Sequence, residues 1–309
     1  MALQPVVQPA VQPMSRTAGI AGNANAALPR KVAPAIMHEV GSRSLVIYGD
    51  SHVGKTESVG FLVDAGFQVH YVDFDHNLES IMRVSNAHNF QYYPVGQGDG
   101  TGIVKFFNEL MRNNSASVCH EHGLVNCPSC SSAGESFTTL DVNALGRDCI
   151  VVWDSASAIV RAVNDAITAR NGRDTLRIMT DEKAATMDNM SYFKAVASTA
   201  IPIWHWINKM PFNGGSLVIT HEHDKASMMD RNAQHFYVPL AASGTYSLSS
   251  NSKTPCTAIW ALKREANAAN RKPILESNST HYAKTANAAN YAGLTLQAAI
   301  VKFFTRNTI

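Results

Sequence analysis

The chain has 309 residues, 45% of them hydrophobic and 16% charged against about 25% charged in a typical globular protein, which excludes wholesale disorder. Lys plus Arg number 26 and Asp plus Glu 24, so the net charge of +2 points to no partner class. No run of eighteen apolar residues occurs, and a basic segment leading into an apolar core is missing at the N-terminus. Neither a membrane span nor a secretory signal is therefore expected, and the expected location is the cytoplasm.

Residues 1–35 are rich in Gln, Pro, Ala and Val, with Pro5, Pro9 and Pro13 recurring every fourth residue. That composition reads as a flexible or extended arm. Ser44–Tyr48 is a short β-type run, and a helix is expected from Lys55 to near Gly66. Gln68–Phe74 reads as the next strand and Ile103–Arg112 as a helix. Cys149–Trp153 is a continuous apolar run of the kind buried on both faces of a sheet. Ser157–Arg170 and Met187–Met210 look helical, the second interrupted at Pro202. Ser216–Thr220 and Thr257–Leu262 read as further strands. This alternation predicts an α/β fold with a mainly parallel sheet over residues 36–275 and a C-terminal segment at 276–309. Two stretches depart from it: 113–141, with a Cys/His cluster, and 225–255, long, polar and aperiodic.

Gly49-Asp50-Ser51-His52-Val53-Gly54-Lys55-Thr56 matches the phosphate-loop pattern G-x-x-x-x-G-K-[ST], between a β-run and a helix. Glycines let backbone N–H groups turn towards phosphate oxygens, and the helix N-terminus adds a positive dipole end. Lys55 would reach the β- and γ-phosphates, and the Thr56 hydroxyl would ligate Mg²⁺. Asp154, at the end of the apolar run 150–153, is the candidate second Mg²⁺ anchor. Asp73 and Asp75 stand two apart at a strand end, which places both carboxylates on one side, and Asp75 is the candidate base. Thr220-His221 ends another strand, where His221 could sense a γ-phosphate.

These pieces, in this order, resemble the RecA-like P-loop NTPase core. Tyr71-Val72-Asp73-Phe74-Asp75-His76 resembles the segment with the catalytic acid, with Asp75 in place of Glu. Val152-Trp153-Asp154-Ser155 resembles the Walker B strand. His221 stands where the family carries its sensor Gln. The segment 225–255 falls at the second DNA-binding loop, and 261–265 resembles the strand whose basic residues reach ATP across a subunit interface, so Lys263 or Arg264 would complete a neighbour's site. The short chain is most similar to the phage Sak-type single-strand annealing ATPases.

The resemblance implies ATP and Mg²⁺ as cofactors, ATP hydrolysis dependent on DNA, a homo-oligomer with ATP between subunits, and recombination or strand annealing on single-stranded DNA. From Lys225 onward there are ten Lys or Arg and three Asp or Glu, a balance of +7; the preceding residues carry sixteen and twenty-one, or −5. A basic last third suits a nucleic-acid backbone. Lys225, Arg231 and Lys253, interleaved with Phe236, Tyr237 and Tyr246, have the composition of a strand-binding loop. Two rival expectations remain: a small-molecule P-loop kinase with a lid from Arg170, Arg173 and Arg177, and an assembly protein stabilised by nucleotide and zinc.

Five cysteines exclude a paired disulfide framework. Cys119-x₂-His122-x₄-Cys127-x₂-Cys130 has metal-ligand spacing, and three thiolates with one imidazole suit a closed structural Zn²⁺ site. His120 is an alternative to His122. Cys149 and Cys256 read as packing residues.

Overall fold

The computed structural model describes residues 43–76, 78–96, 101–170, 195–196, 198–212, 214–224, 237–239, 256–263 and 271–305. Its centre is a sheet in the order β10-β9-β1-β7-β6-β2-β3. The strands are β1 (Arg43–Gly49), β2 (Gln68–Asp73), β3 (Phe90–Pro94), β6 (Cys149–Asp154), β7 (Gly215–Asp224), β9 (Ala258–Leu262) and β10 (Lys284–Thr285). From β9 to β3 all neighbours run parallel; β10 pairs antiparallel with β9. Strand β8 (Tyr237–Pro239) folds back antiparallel on the end of β7, with Tyr237 opposite Asp224.

The continuous apolar runs follow from cover on both faces. Leu45, Ile47, Ile150 and Val152 point into one hydrophobic cluster, with α1 (Glu57–Asp64) and α5 (Leu296–Phe304). Val46, Tyr48, Val151 and Trp153 point into the other, with α2 (Thr101–Asn113), α4 (Ala156–Arg170) and the helical stretch 198–208. Successive residues of one strand thus feed two cores, as the period of two requires. Pro202 does not interrupt the helix as expected: residues 198–208 are helical through it. Burial of Ile203, Trp204 and Ile207 offsets the hydrogen bond that proline removes.

Trp153 centres the second cluster. It stacks on Phe74 at 6.4 Å, meets Trp206 edge-on at 6.1 Å, and donates from Nε1 to Ser216 Oγ at 3.2 Å. Trp153→Ala is expected to cost about 3–5 kcal/mol, from the cavity and the orphaned hydroxyl, read as a lower urea midpoint.

The stretch 113–141 is more ordered than its polarity suggested. Strands β4 (Ser115–Cys119) and β5 (Phe137–Asp141) form an antiparallel pair, and α3 (Pro128–Ala133) lies between them. Among the described residues no helix is long and apolar enough to cross a membrane.

Candidate functional site

Parallel strands present their carboxyl ends at one edge, where open α/β sheets take ligands. Here β1, β7, β6 and β2 stand side by side, with Gly49 in register with His221, and Asp154 with Asp73. A cleft of about 350 Å³ opens at this edge, lined among others by Lys55, Thr56, Asp75, Asp154, Ser155 and His221. Ser51, His52 and Gly54 line it too, whereas Val53 is buried in the first cluster and anchors the loop from below.

The segment Gly49–Thr56 joins β1 to α1. The loop turns through positive φ at His52 (61°) and Gly54 (81°). Asp50 braces it through its carboxylate, which accepts from Ser51 N–H at 2.7 Å. The Lys55 ammonium is buried and donates to the carbonyls of Gly49 (2.9 Å) and Asp50 (2.6 Å). Burial lowers its pKa, opposed by the charges of Asp154, Glu222, Asp50 and Asp75. Thr56 is the N-cap of α1, yet its side chain caps nothing; its Oγ1 donates to Asp154 Oδ2 at 2.9 Å. No side chain caps the first turn of α1, where the N–H groups of Ser58 and Val59 donate to the carbonyls of Gly54, Lys55 and Thr56.

Asp154 is buried at the end of β6. Burial raises its pKa to about 6, against hydrogen bonds from Tyr71 Oη (2.8 Å) and Thr56 that lower it. A hydroxyl and a carboxylate in contact are oxygen donors of the kind a hard divalent cation takes. The peptide bond Asp154–Ser155 is cis.

Asp73 and Asp75 do not face the cleft as a pair. The Asp73 carboxylate is fully buried and shapes the turn, accepting from the N–H groups of Asp75 (3.0 Å) and His76 (2.8 Å) and from Tyr92 Oη (3.1 Å). That turn, with His76 at φ 54°, sends Asp75 alone into the cleft. Asp75 accepts from Arg161 Nη2 at 2.7 Å and from Ser155 Oγ, so both its oxygens are oriented. His221 is half-buried, and its backbone N–H donates to Ser157 Oγ at 3.1 Å. Burial first and the Lys55 charge second lower its imidazole pKa, so it is neutral near neutral pH.

Lys263 is exposed after β9 and is not among the residues lining the cleft. Arg264, Arg173, Arg177, residues 1–35 and, apart from Tyr237–Pro239, the segment 225–255 lie outside the described residues. Sequence reading missed Tyr71, Ser155 and Arg161 as partners of the acidic groups. A hydroxyl-bearing residue within two strands of a key carboxylate was the available signal.

The Cys/His cluster assembles as the spacing required. One ligand atom each from Cys119, His122, Cys127 and Cys130 all lie within 4.8 Å of one another. Cys119 ends β4, and the turn after it is closed by Gly123 N–H donating to Cys119 O at 2.9 Å, with Gly123 at φ 63°. Cys127 precedes α3, with Pro128 at the first helical position and Ser131 N–H donating to Cys127 O at 2.9 Å. His122 Nδ1 stands 3.1 Å from Cys130 Sγ and 3.6 Å from Cys127 Sγ. His120 instead bonds Thr138, so His122 is the imidazole of the set. The N–H of Leu124 points at Cys119 Sγ, 3.4 Å away, as thiolate ligands favour. The group could hold a zinc-like metal. Cys149 and Cys256 lie apart from it, the latter in the second cluster.

No protein-family model matches this sequence, and no curated protein is similar to it.

Proposed function

We propose that the chain binds ATP with Mg²⁺ in this cleft and hydrolyses it as a RecA-like ATPase that binds single-stranded DNA as a homo-oligomer and promotes recombination or strand annealing. The observation that carries this is the convergence of four separate segments on four adjacent strands. Phosphate loop, His221, Asp154 and Asp75 follow from β1 to β2, with Thr56 Oγ1 already on Asp154.

Thr56 and Asp154 would hold Mg²⁺, which neutralises charge on the transferring phosphoryl group. The Lys55 ammonium would exchange its two carbonyl partners for phosphate oxygens. Asp75, oriented by Arg161 and Ser155, would take a proton from an attacking water. His221, neutral and beside Gly49, offers a hydrogen bond that depends on what the loop holds. The chain leaves the described residues after Asp224 and returns at Tyr237, opposite it in register, so the proposed DNA loop springs from the strand bearing His221. Nucleotide state and DNA contact would be coupled along β7. The Cys/His centre would hold Zn²⁺ in a structural role.

ATP turnover measured with and without single-stranded DNA across a salt series tests this. DNA stimulation that fades as salt rises is expected, since cations release counterions from the phosphate backbone. Turnover indifferent to DNA would overturn the recombination role, and phosphate transfer to a small-molecule acceptor would mark a kinase.

A further inference from the structure

Arg271 brings a second buried cation to the phosphate loop, from the far end of the chain. Its backbone is fixed by the Leu296 N–H, which donates to Arg271 O at 2.7 Å. Its side chain is 6% exposed and lies against Gly54: a Cβ built on that glycine would fall 1.7 Å from Nη1 and 2.9 Å from Cζ. Gly54 therefore serves twice, allowing φ 81° and admitting the guanidinium.

Among the described residues the pairing of this cation is incomplete. Its carboxylate neighbour, Glu57 Oε2, is 3.6 Å from Nη1 and half exposed, beyond hydrogen-bond length. Among the described residues the buried Nε has no hydrogen-bond partner. A buried guanidinium without a full set of acceptors is unfavourable unless an anion completes it. Gly54 and Glu57, which it lies against, both line the cleft, and Arg271 stands directly behind them. The planar fork of arginine matches phosphate oxygens in pairs.

Resting on the nucleotide reading above, we infer that Arg271 is an intramolecular phosphate-binding residue of the cleft, contacting the diphosphate that ADP and ATP share. On that reading Lys55, Thr56 and Asp154 would serve the β/γ and Mg²⁺ side, and the loop backbone near Gly54 would cradle the α- and β-phosphates. Such a contact is made within one chain, unlike any from Lys263 or Arg264 across an interface.

Binding of Mg·ADP, Mg·ATP and adenosine to the full chain, the last by competition, tests the assignment in wild type, Arg271→Gln and Arg271→Lys. Glutamine is expected to weaken ADP and ATP alike by on the order of tenfold to a hundredfold, and to leave adenosine unchanged. Lysine should recover part of the loss. Should glutamine unfold the chain, lysine carries the test, since it lacks the fork and must lose some ADP affinity. Unchanged ADP affinity in the variants overturns the inference, as does an equal loss for adenosine, which would make Arg271 a prop for the loop. A wild-type chain that binds neither ADP nor ATP overturns the nucleotide reading itself.

Discussion

Replacing Lys55 by alanine is expected to lower ATP turnover by at least about 10²–10³-fold while the chain stays folded. Its side chain lines the cleft, and its ammonium is held by the Gly49 and Asp50 carbonyls. Burial lowers its pKa, and the charges of four surrounding carboxylates oppose that shift. Among the described residues no other Lys or Arg lines the cleft: Lys263 does not, and Arg271 lies against Gly54 without lining it. Asp50 is exposed and its carbonyl can take a water in exchange, whereas the Gly49 carbonyl is buried and loses a donor, so a modest fall in melting temperature is expected beside the loss of turnover. Lys55→Arg should fail nearly as badly, because a planar fork does not fit where a compact ammonium meets two carbonyls. Turnover is compared with melting in parallel; a folded Lys55→Ala chain that turns over ATP at the wild-type rate would exclude the proposed chemistry.

The ease of reading this chain depended on how far apart in sequence the cooperating residues lie. The phosphate loop is eight consecutive residues between a strand and a helix, so pattern and context reinforced each other. The buried strands were plain because both faces of β1, β6 and β7 are covered, which turns alternation into continuous apolar runs. Period-two reasoning failed at Asp73 and Asp75, since β2 ends at Asp73 and a turn with His76 at positive φ redirects the second carboxylate. Pro202 misled because local propensity yields to the burial of Trp204 and Ile207. Arg271 was invisible: no local pattern marks a residue whose partner, Gly54, lies more than two hundred residues away in the sequence, and only the space left by a missing Cβ reveals it. The strands β4 and β5 were hidden by polar residues such as Ser115, Ser117 and Thr138, half-buried, and Thr139, exposed, while Val118 and Leu140 supply the core.

Removal of metal by a chelator is expected to unfold the tip of the Cys/His lobe and leave the sheet intact. The tip has little core of its own: Cys119, Cys127 and Cys130 are buried together with only Leu124 and Phe137 packed against them. So small an apolar cluster cannot offset the conformational entropy of ordering the residues between β4 and β5. A closed Cys₃His site can, because structural zinc contributes an apparent binding free energy of about 10–16 kcal/mol near neutral pH. The base of the lobe differs, since Val118, Leu140 and Val142 belong to the main core and Val142 N–H donates to Asn114 O at 2.8 Å. Hydrogen exchange should therefore show protection lost over 119–137 and retained over β1, β6 and β7. One further effect is expected at the end of β3, where Gly96 N–H donates to Gly123 O at 2.7 Å, a contact so close that a Cβ on Gly123 would fall 2.3 Å from Gly96 N. Cys127→Ser should reproduce the chelator's pattern, whereas His120→Ala should not, because His120 bonds Thr138 and stands outside the ligand set. Metal analysis giving one Zn²⁺ per chain in wild type and none in Cys127→Ser would complete the case; a metal-free chain with full protection over 119–137 would refute it.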